Sequence, residues 1–185
     1  MIKFERVTFA YGEKQVLKDF SLEIRKGDCI CFFGESGKGK TTLLRLICGL
    51  EKPSAGEILG TDKKRFSVVF QEDRLLKNLT VSENVALVGS RQNGDALLKK
   101  LGLQDYLDKK ISDLSGGMRR RVSIARALNS DYDVLLLDEA FNGLDEDRIK
   151  DTAALILEET KGKTVIMITH SLTHAKLLNA TVIHI

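Results

Sequence analysis

Residues 33–44, FGESGKGKTTLL, contain three glycines, two lysines and two threonines between an apolar run and an apolar helix pattern. The run before the loop, DCICFF, is typical of a strand buried on both faces, and TTLLRLICGL after it has apolar residues at helical spacing. Glycines let backbone N–H groups approach phosphate oxygens closely, and a helix start adds positive charge. The stretch therefore predicts a polyphosphate-binding loop between a strand and a helix.

The loop satisfies the pattern G-x-x-x-x-G-K-[ST] at Gly34, Gly39, Lys40 and Thr41. In this pattern the lysine reaches the β- and γ-phosphates, and the hydroxyl binds Mg²⁺. The alternative is a glycine-rich turn that matches by chance, but the flanking strand and helix argue against it. We predict that the whole loop contacts a nucleotide: Gly34, Glu35, Ser36, Gly37, Lys38, Gly39, Lys40, Thr41 and Thr42.

A second pattern, VLLLDE at residues 134–139, places two carboxylates directly after a buried strand. An aspartate at the carboxyl end of a strand can hold Mg²⁺, and a neighbouring glutamate can orient or deprotonate water. The alternative is a buried strand that ends in a solvated acidic turn. Beside the glycine-rich loop, we interpret Asp138 as a metal ligand and Glu139 as the residue that acts on water.

A third pattern, LSGGMRRRVSIARAL at residues 114–128, begins a helix with one hydroxyl and two glycines. Ser115, Gly116 and Gly117 place a hydroxyl and open backbone amides at a positive helix end, which predicts a second anion site. The residues alone favour an ordinary capped helix, in which Arg119 to Arg121 form a solvated face, because such helices are common. This choice stays open at the level of the residues.

Composition limits the class of protein. The chain has 185 residues, 43 % of them apolar and 30 % charged, which fits one globular domain with its own core. Its net charge of +3 is spread along the sequence and gives no electrostatic case for nucleic-acid binding. Three scattered cysteines suit a reducing compartment. The N-terminus does not resemble a signal peptide, and no apolar run approaches membrane-helix length.

The order of the patterns predicts an α/β domain with a largely parallel sheet, because strands alternate with helices. In the first third of the chain, apolar and polar residues alternate with a period of two, which predicts half-exposed strands. Strand signals disappear between residues 72 and 129, where short helices are separated by glycines. We therefore expect a core of residues 1–71 and 130–185 with an inserted helical subdomain at about 72–129. The last elements are predicted as two strands, TVIMIT and TVIHI.

Together these motifs resemble the ATP-binding-cassette (ABC) ATPases, and the likeness runs from Ile2 to Ile185. The signature motif of that family, LSGGQ, reads LSGGM here, with Met118 in the place of glutamine. The resemblance implies one ABC ATPase domain over residues 1–185. It would be a P-loop NTPase with a RecA-like core, a small N-terminal antiparallel β part and an inserted helical subdomain.

The resemblance also implies roles for single residues. Tyr11 stands where an aromatic ring stacks on adenine, and Gln71 where a glutamine reaches Mg²⁺ and the membrane partner. Asp145 falls in the D-loop, and His170 at the switch histidine near the γ-phosphate. Three residues are implied in catalysis, and three would hold the metal. The catalytic set is Glu139, His170 and Lys40, and the metal set is Thr41, Gln71 and Asp138.

Each of these residues also has a structural interpretation. Tyr11 reads as one more strand aromatic, Gln71 as a surface residue at a strand end, and a lone histidine is more often structural than catalytic. Only its place after VIMIT distinguishes His170 from the other two histidines. We interpret His174 and His184 as structural residues.

The sequence departs from the family pattern at several points. Ala140 stands where proline is usual, Asn142 where a small residue is usual, and Lys38 adds a cation to the phosphate loop. None of these changes removes a reacting group. The sequence also stops at its last strand, without the C-terminal helices of many relatives, which leads us to expect a minimal cassette.

The resemblance implies an ATP-hydrolysing, Mg²⁺-dependent subunit of a membrane transporter, held at the cytoplasmic face by transmembrane permease subunits. Two copies, or one copy and a related cassette, would sandwich two ATP molecules, with Ser115 and its glycines contacting the partner's γ-phosphate. The stretches VVFQEDRLLKNLTVSENVAL and LSGGMRRRVSIARAL resemble importers of the nitrate, sulfonate and taurine type, which work with a solute-binding protein. No nucleic-acid partner is expected.

Other classes remain as alternatives. A lipoprotein-releasing or cell-division cassette carries similar stretches around the Q-loop glutamine. A soluble cassette of the DNA-repair or translation-factor kind would need a coiled-coil insertion or a second cassette. A P-loop small-molecule kinase would share residues 34–41 but would not explain LSGG or the position of Glu139.

Overall fold

The computed structural model describes residues 1–34 and 39–185. The predictions made for Glu35, Ser36, Gly37 and Lys38 lie outside the described residues. The strands are β1 (Ile2–Tyr11), β2 (Lys14–Ile24), β3 (Cys29–Phe33), β4 (Ala55–Leu59), β5 (Phe66–Val69), β6 (Val134–Asp138), β7 (Thr164–Thr169) and β8 (Thr181–His184). The helices are α1 (Lys40–Ile47), α2 (Val81–Ala86), α3 (Arg91–Lys100), α4 (Gly116–Asn129), α5 (Glu146–Glu159) and α6 (Leu172–Leu177).

The strands form two sheets. A three-stranded antiparallel sheet has the order β2-β1-β4, and a five-stranded parallel sheet has the order β5-β6-β7-β3-β8. This arrangement confirms the predicted α/β class with a parallel sheet and a small N-terminal antiparallel part. Because β3, β6 and β7 are adjacent and parallel, their carboxyl ends meet at one edge of the sheet.

The apolar runs form the centre of the parallel sheet because both faces of each central strand are covered. Every residue of β6 and of β7 is buried. Alternate residues of β6 enter different cores: Leu135 and Leu137 pack with the apolar faces of α4 and α5, whereas Val134 and Leu136 pack with α1 and the antiparallel sheet. The parallel sheet therefore separates two hydrophobic layers.

The helices between residues 81 and 129 begin at side-chain caps. Thr80 and Glu83 form a reciprocal capping box at α2, and Ser90 caps α3. Ser115 caps α4 by accepting a hydrogen bond from the Met118 N–H at 3.3 Å. These caps fix where each helix starts, including the start of the predicted signature helix.

Helix α6 is an element that the sequence prediction missed, because we expected β7 and β8 to complete the chain without one. The helix has only six residues and a single fully buried side chain, Ala175, so its apolar pattern is weak. Both strands run parallel to β3, however, and a crossover connection between parallel strands usually contains a helix. No helix within residues 1–34 and 39–185 has the length and apolar character needed to cross a membrane.

Candidate nucleotide-binding site

The glycine-rich loop enters α1 through a residue that must be glycine. Gly39 precedes the helix with φ of 92°, in the left-handed region, and a Cβ atom there would collide with the Val16 side chain. A larger residue would therefore be strained and would also displace β2. Gly39 therefore packs directly against β2 of the antiparallel sheet.

Lys40 is the first residue of α1 and is only 7 % exposed. Its Nζ donates a hydrogen bond to the Gly34 carbonyl oxygen at 2.7 Å. The ammonium is thus held between the two ends of the glycine-rich loop.

Thr41 and Asp138 meet across the carboxyl edge of the parallel sheet. The Thr41 Oγ1 lies 3.4 Å from Asp138 Oδ2. Burial raises the pKa of the Asp138 carboxyl above its ordinary value, the Thr41 hydrogen bond opposes this effect, and the charge of Glu139 adds to it. A buried carboxylate beside a hydroxyl and a second carboxylate is a site that favours a cation.

Glu139 has an unusual backbone conformation, with φ of 49°. Its N–H donates to the Ile168 carbonyl oxygen at 3.0 Å, which fixes the turn against β7. The side chain is largely buried, and its Oε1 lies 3.0 Å from His170 Nδ1. The other oxygen, Oε2, is buried and has no hydrogen-bond partner among the described residues. Glu139 therefore has one buried carboxylate oxygen that can still accept a hydrogen bond.

One cleft of about 440 Å³ collects eight of the predicted site residues. Tyr11 and Gln71 also line this cleft, although both are far in sequence from the glycine-rich loop and from the end of β6. The Tyr11 side chain is 43 % exposed, and its hydroxyl lies 3.4 Å from both Glu51 and Arg45. The lining residues are Tyr11, Lys14, Val16, Gly39, Lys40, Thr41, Thr42, Gln71, Asp138, Glu139 and Ile168.

The start of α4 lines a different cleft, of about 310 Å³, together with the turn that precedes α5. Gly117 packs so closely against this turn that a Cβ atom would lie 2.8 Å from the Gly143 carbonyl oxygen. Asp145 caps α5 by accepting from the Arg148 N–H at 2.9 Å. Among the described residues, no lining residue of this cleft also lines the first one. The structure thus keeps Ser115 and Asp145 apart from Lys40, Asp138 and Glu139.

One arginine that sequence reasoning treated as part of a solvated face is buried. The Arg120 guanidinium donates to the Phe70 carbonyl oxygen at 2.6 Å and to the Gln71 carbonyl oxygen, and it lies 3.5 Å from Asp73 Oδ1. This side chain therefore connects helix α4 to the backbone that carries Gln71. The sequence gives no sign of this buried contact, because three consecutive arginines in a helix are typical of a solvent-facing surface.

We expect Arg120→Met to lower the free energy of unfolding by about 3 kcal/mol, because it leaves two carbonyl oxygens without their donor and the partly buried Asp73 carboxylate without its buried counter-ion. Chemical denaturation measures this loss. Arg119→Met is the matched control: that neighbour also faces Asp73, at 3.7 Å, but its side chain is 38 % exposed against 8 % for Arg120. Equal losses for the two variants would contradict the buried link.

Comparison with protein families agrees with this geometry. The family model described as ABC transporter matches residues 17–142. Taurine import ATP-binding protein TauB of Roseobacter denitrificans is 39 % identical over 187 aligned residues, covering 91 % of this chain and 69 % of that protein. TauB of Jannaschia sp. is 40 % identical, covering 93 % of this chain and 70 % of that protein.

Solved structures give the same picture. The ATP-binding cassette MJ0796, in a dimeric post-hydrolysis state bound to ADP and Pi, matches with a TM-score of 0.86 and 30 % identity. A second dimeric structure of MJ0796, described as a bacterial ABC transporter cassette, matches with a TM-score of 0.85 and 31 % identity. Both matches cover 100 % of this chain and 94 % of the other.

Proposed function

The chain belongs to the ABC transporter family, and from this premise we propose that it hydrolyses ATP in an importer of a small sulfonate or related anion. It is the nucleotide-binding subunit of an ABC transporter, and its substrate in the chemical step is ATP. The observation that carries the assignment of the site is the convergence of Lys40, Thr41, Asp138 and Glu139 on one cleft. We propose a role for each of these residues.

We infer that the triphosphate binds along the glycine-rich loop, with its charge compensated by Lys40 and by the start of α1. Tyr11 lines the same cleft, where its exposed ring can stack on the adenine base. The ring also packs edge-to-face on Phe9 with centroids 4.8 Å apart, which restricts its orientation. The cleft can thus hold both ends of ATP.

The oxygen atoms of Thr41 and Asp138 fit Mg²⁺, which prefers hard oxygen ligands, and the Gln71 amide lines the same cleft. We propose that these three residues hold the ion together with the phosphates. When bound, Mg²⁺ neutralises charge that develops on the phosphates during transfer.

We propose that Glu139 orients the attacking water and accepts its proton through Oε2, the buried oxygen without a partner among the described residues. His170 contacts the other oxygen, so the carboxylate cannot rotate freely. His170 would then support Glu139 and reach the γ-phosphate from the same side. The two residues act as one unit in this proposal.

The family of this chain also suggests partners for it. We propose that two cassettes, identical or related, bind ATP between them, and that transmembrane permease subunits hold them at the cytoplasmic face of the membrane. Resemblance to TauB proteins, which are named as taurine import subunits, supports import and a sulfonate-like solute. An importer of this kind would also use a solute-binding protein.

Reconstitution tests the transport proposal. The chain would be produced together with its permease subunits and placed in proteoliposomes with ATP inside. We expect radiolabelled taurine or a short alkanesulfonate to enter the vesicles only with ATP, with the solute-binding protein outside. Export of the same solute, or ATP-dependent transport of lipoproteins alone, would contradict the proposal.

The contact to adenine can be tested separately. We expect Tyr11→Ala to weaken ATP binding about fivefold, since stacking on an exposed ring contributes about 1 kcal/mol. Tyr11→Phe should bind like the parent protein, because it keeps the ring and loses only the long contacts to Arg45 and Glu51. Equilibrium binding of a fluorescent ATP analogue measures both. A Phe variant as weak as the Ala variant would assign the effect to the hydroxyl instead.

A further inference from the structure

His174 lies between the two segments that carry Glu139 and His170. It belongs to α6 and is half-buried. Its ring packs edge-to-face on Phe141, with centroids 5.2 Å apart and an interplanar angle of 66°. Its Nδ1 lies 3.3 Å from the Thr169 hydroxyl oxygen. Phe141 follows Glu139 by two residues, and Thr169 immediately precedes His170.

The Thr169 hydroxyl links His174 to the turn that carries His170. The Thr169 hydroxyl oxygen, which is almost completely buried, accepts from the Ser171 N–H at 3.1 Å. The hydroxyl can then donate its proton to the Nδ1 of His174, or accept a hydrogen bond from an Nδ1–H with its second lone pair. Nδ1 can accept the hydroxyl proton only in the neutral tautomer that carries its proton on Nε2.

The surroundings of His174 favour that neutral form. Burial lowers the pKa of His174 below its ordinary value, the charge of Glu139 opposes this effect, and His170 adds to it. Protonation would place a hydrogen on Nδ1 and turn this acceptor into a donor. Donation by the Thr169 hydroxyl therefore belongs to the neutral imidazole, and protonation would reverse the direction of this hydrogen bond.

These contacts connect two turns that are otherwise joined mainly through the backbone. The Glu139 N–H bonds to the Ile168 carbonyl oxygen and aligns the main chains. The direction of the His170 side chain depends in addition on the turn from Thr169 to Ser171. His174 holds that turn through its contact with Thr169, and its own ring is held by packing on Phe141.

We propose that His174 is a positioning residue for ATP hydrolysis, which holds His170 Nδ1 on Glu139 Oε1 by bracing the Thr169–Ser171 turn against Phe141. The inference rests on the proposed roles of Glu139 and His170. His174 contacts neither of the two clefts that would hold nucleotide, so its effect is expected on turnover and not on binding. A displacement of about 1 Å at a reacting centre can lower a rate about a hundredfold.

The test compares substitutions that each remove one contact of His174. His174→Phe keeps a ring against Phe141 but lacks the acceptor, and we expect kcat to fall about 10- to 100-fold with the KM for ATP unchanged within twofold. His174→Asn restores an acceptor near the position of Nδ1 and should recover much of the lost kcat. His184→Phe is the matched control, because that histidine is exposed on β8 and contacts only the edge of Phe33 among ring partners.

Thr169→Val provides an independent route to the same contact, since it replaces the hydroxyl by a methyl group and leaves the imidazole in place. We expect it to lower kcat at least as much as His174→Phe, because it also removes the acceptor of the Ser171 N–H, and the double variant to be no slower than Thr169→Val alone. If His174→Phe fails to fold, the Thr169→Val and His174→Asn pair carries the comparison, with thermal melting as the check on folding.

Parental kcat in His174→Phe, or full additivity in the double variant, would overturn the positioning role. A rise in KM alone would overturn it too. Glu139→Gln, measured in the same assay, separates this outcome from a failure of the proposed function. If Glu139→Gln is inactive while His174→Phe is fully active, only the inference about His174 is wrong; if Glu139→Gln is active, the proposed roles are wrong as well.

Discussion

Replacement of Glu139 by glutamine is expected to leave ATP binding intact and to lower ATP turnover by a factor of about 100 to 10,000. Glutamine keeps the shape of the side chain and can still contact His170, but it cannot accept a proton from water. The buried Oε2, which has no partner among the described residues, is the oxygen that would lose this capacity. Phosphate release and equilibrium nucleotide binding measure the two quantities separately.

Glu146→Gln is the control for this experiment. Glu146 lies in the first turn of α5, is exposed, and lines neither cleft. Its replacement removes the same charge from the chain and should leave turnover unchanged. If Glu139→Gln hydrolyses ATP at the parental rate, the base has been assigned to the wrong residue.

Association of two chains is expected to depend on both ATP and Ser115. The start of α1, at Lys40 and Thr41, and the start of α4 both offer backbone amides and a hydroxyl to an anion, yet they line separate clefts in one chain. A two-fold pair can place the Ser115 cleft of each chain on the nucleotide of the other, and so satisfy both sites twice. Light scattering should then report a monomer without ATP and a doubled mass for Glu139→Gln with ATP.

Ser115→Arg should prevent this association without preventing ATP binding, because it places a long side chain where the partner's nucleotide would lie. The decisive protein is the double variant Ser115→Arg, Glu139→Gln, which should bind ATP and remain monomeric. Ser112→Arg in the same background is the matched control, since Ser112 is exposed three residues earlier and outside the cleft. Dimerisation of the Ser115→Arg double variant with ATP would contradict the shared site.

The sequence was sufficient to predict the central strands and the cleft they support. Apolar runs such as VLLLD and TVIMIT must be covered on both faces, and adjacent parallel strands bring Asp138 and the phosphate loop to one edge. The prediction depended on patterns that extend over several residues. Helix α6 was missed because it has six residues and buries little, so tertiary packing decides it more than pattern does.

Single side chains were harder to predict than elements. Arg120 looks like Arg119 and Arg121 in the sequence, and only the approach of the Phe70–Asp73 segment makes it buried. His174 was interpreted as structural for a similar reason, since its neighbours Thr169 and Phe141 are distant or unremarkable in sequence. Contacts of this kind arise from how segments meet, and no local pattern records them.

The backbone of Glu139 has a consequence for the stability of the whole chain. A residue other than glycine in the left-handed region carries a strain of about 1–3 kcal/mol, a noticeable part of the roughly 5–15 kcal/mol that keeps a domain folded. Selection for folding alone would favour glycine at this position, and glycine has no carboxylate. The fold therefore tolerates a permanent local strain at the residue proposed to act on water. Thermostable variants of this protein must consequently gain their stability elsewhere.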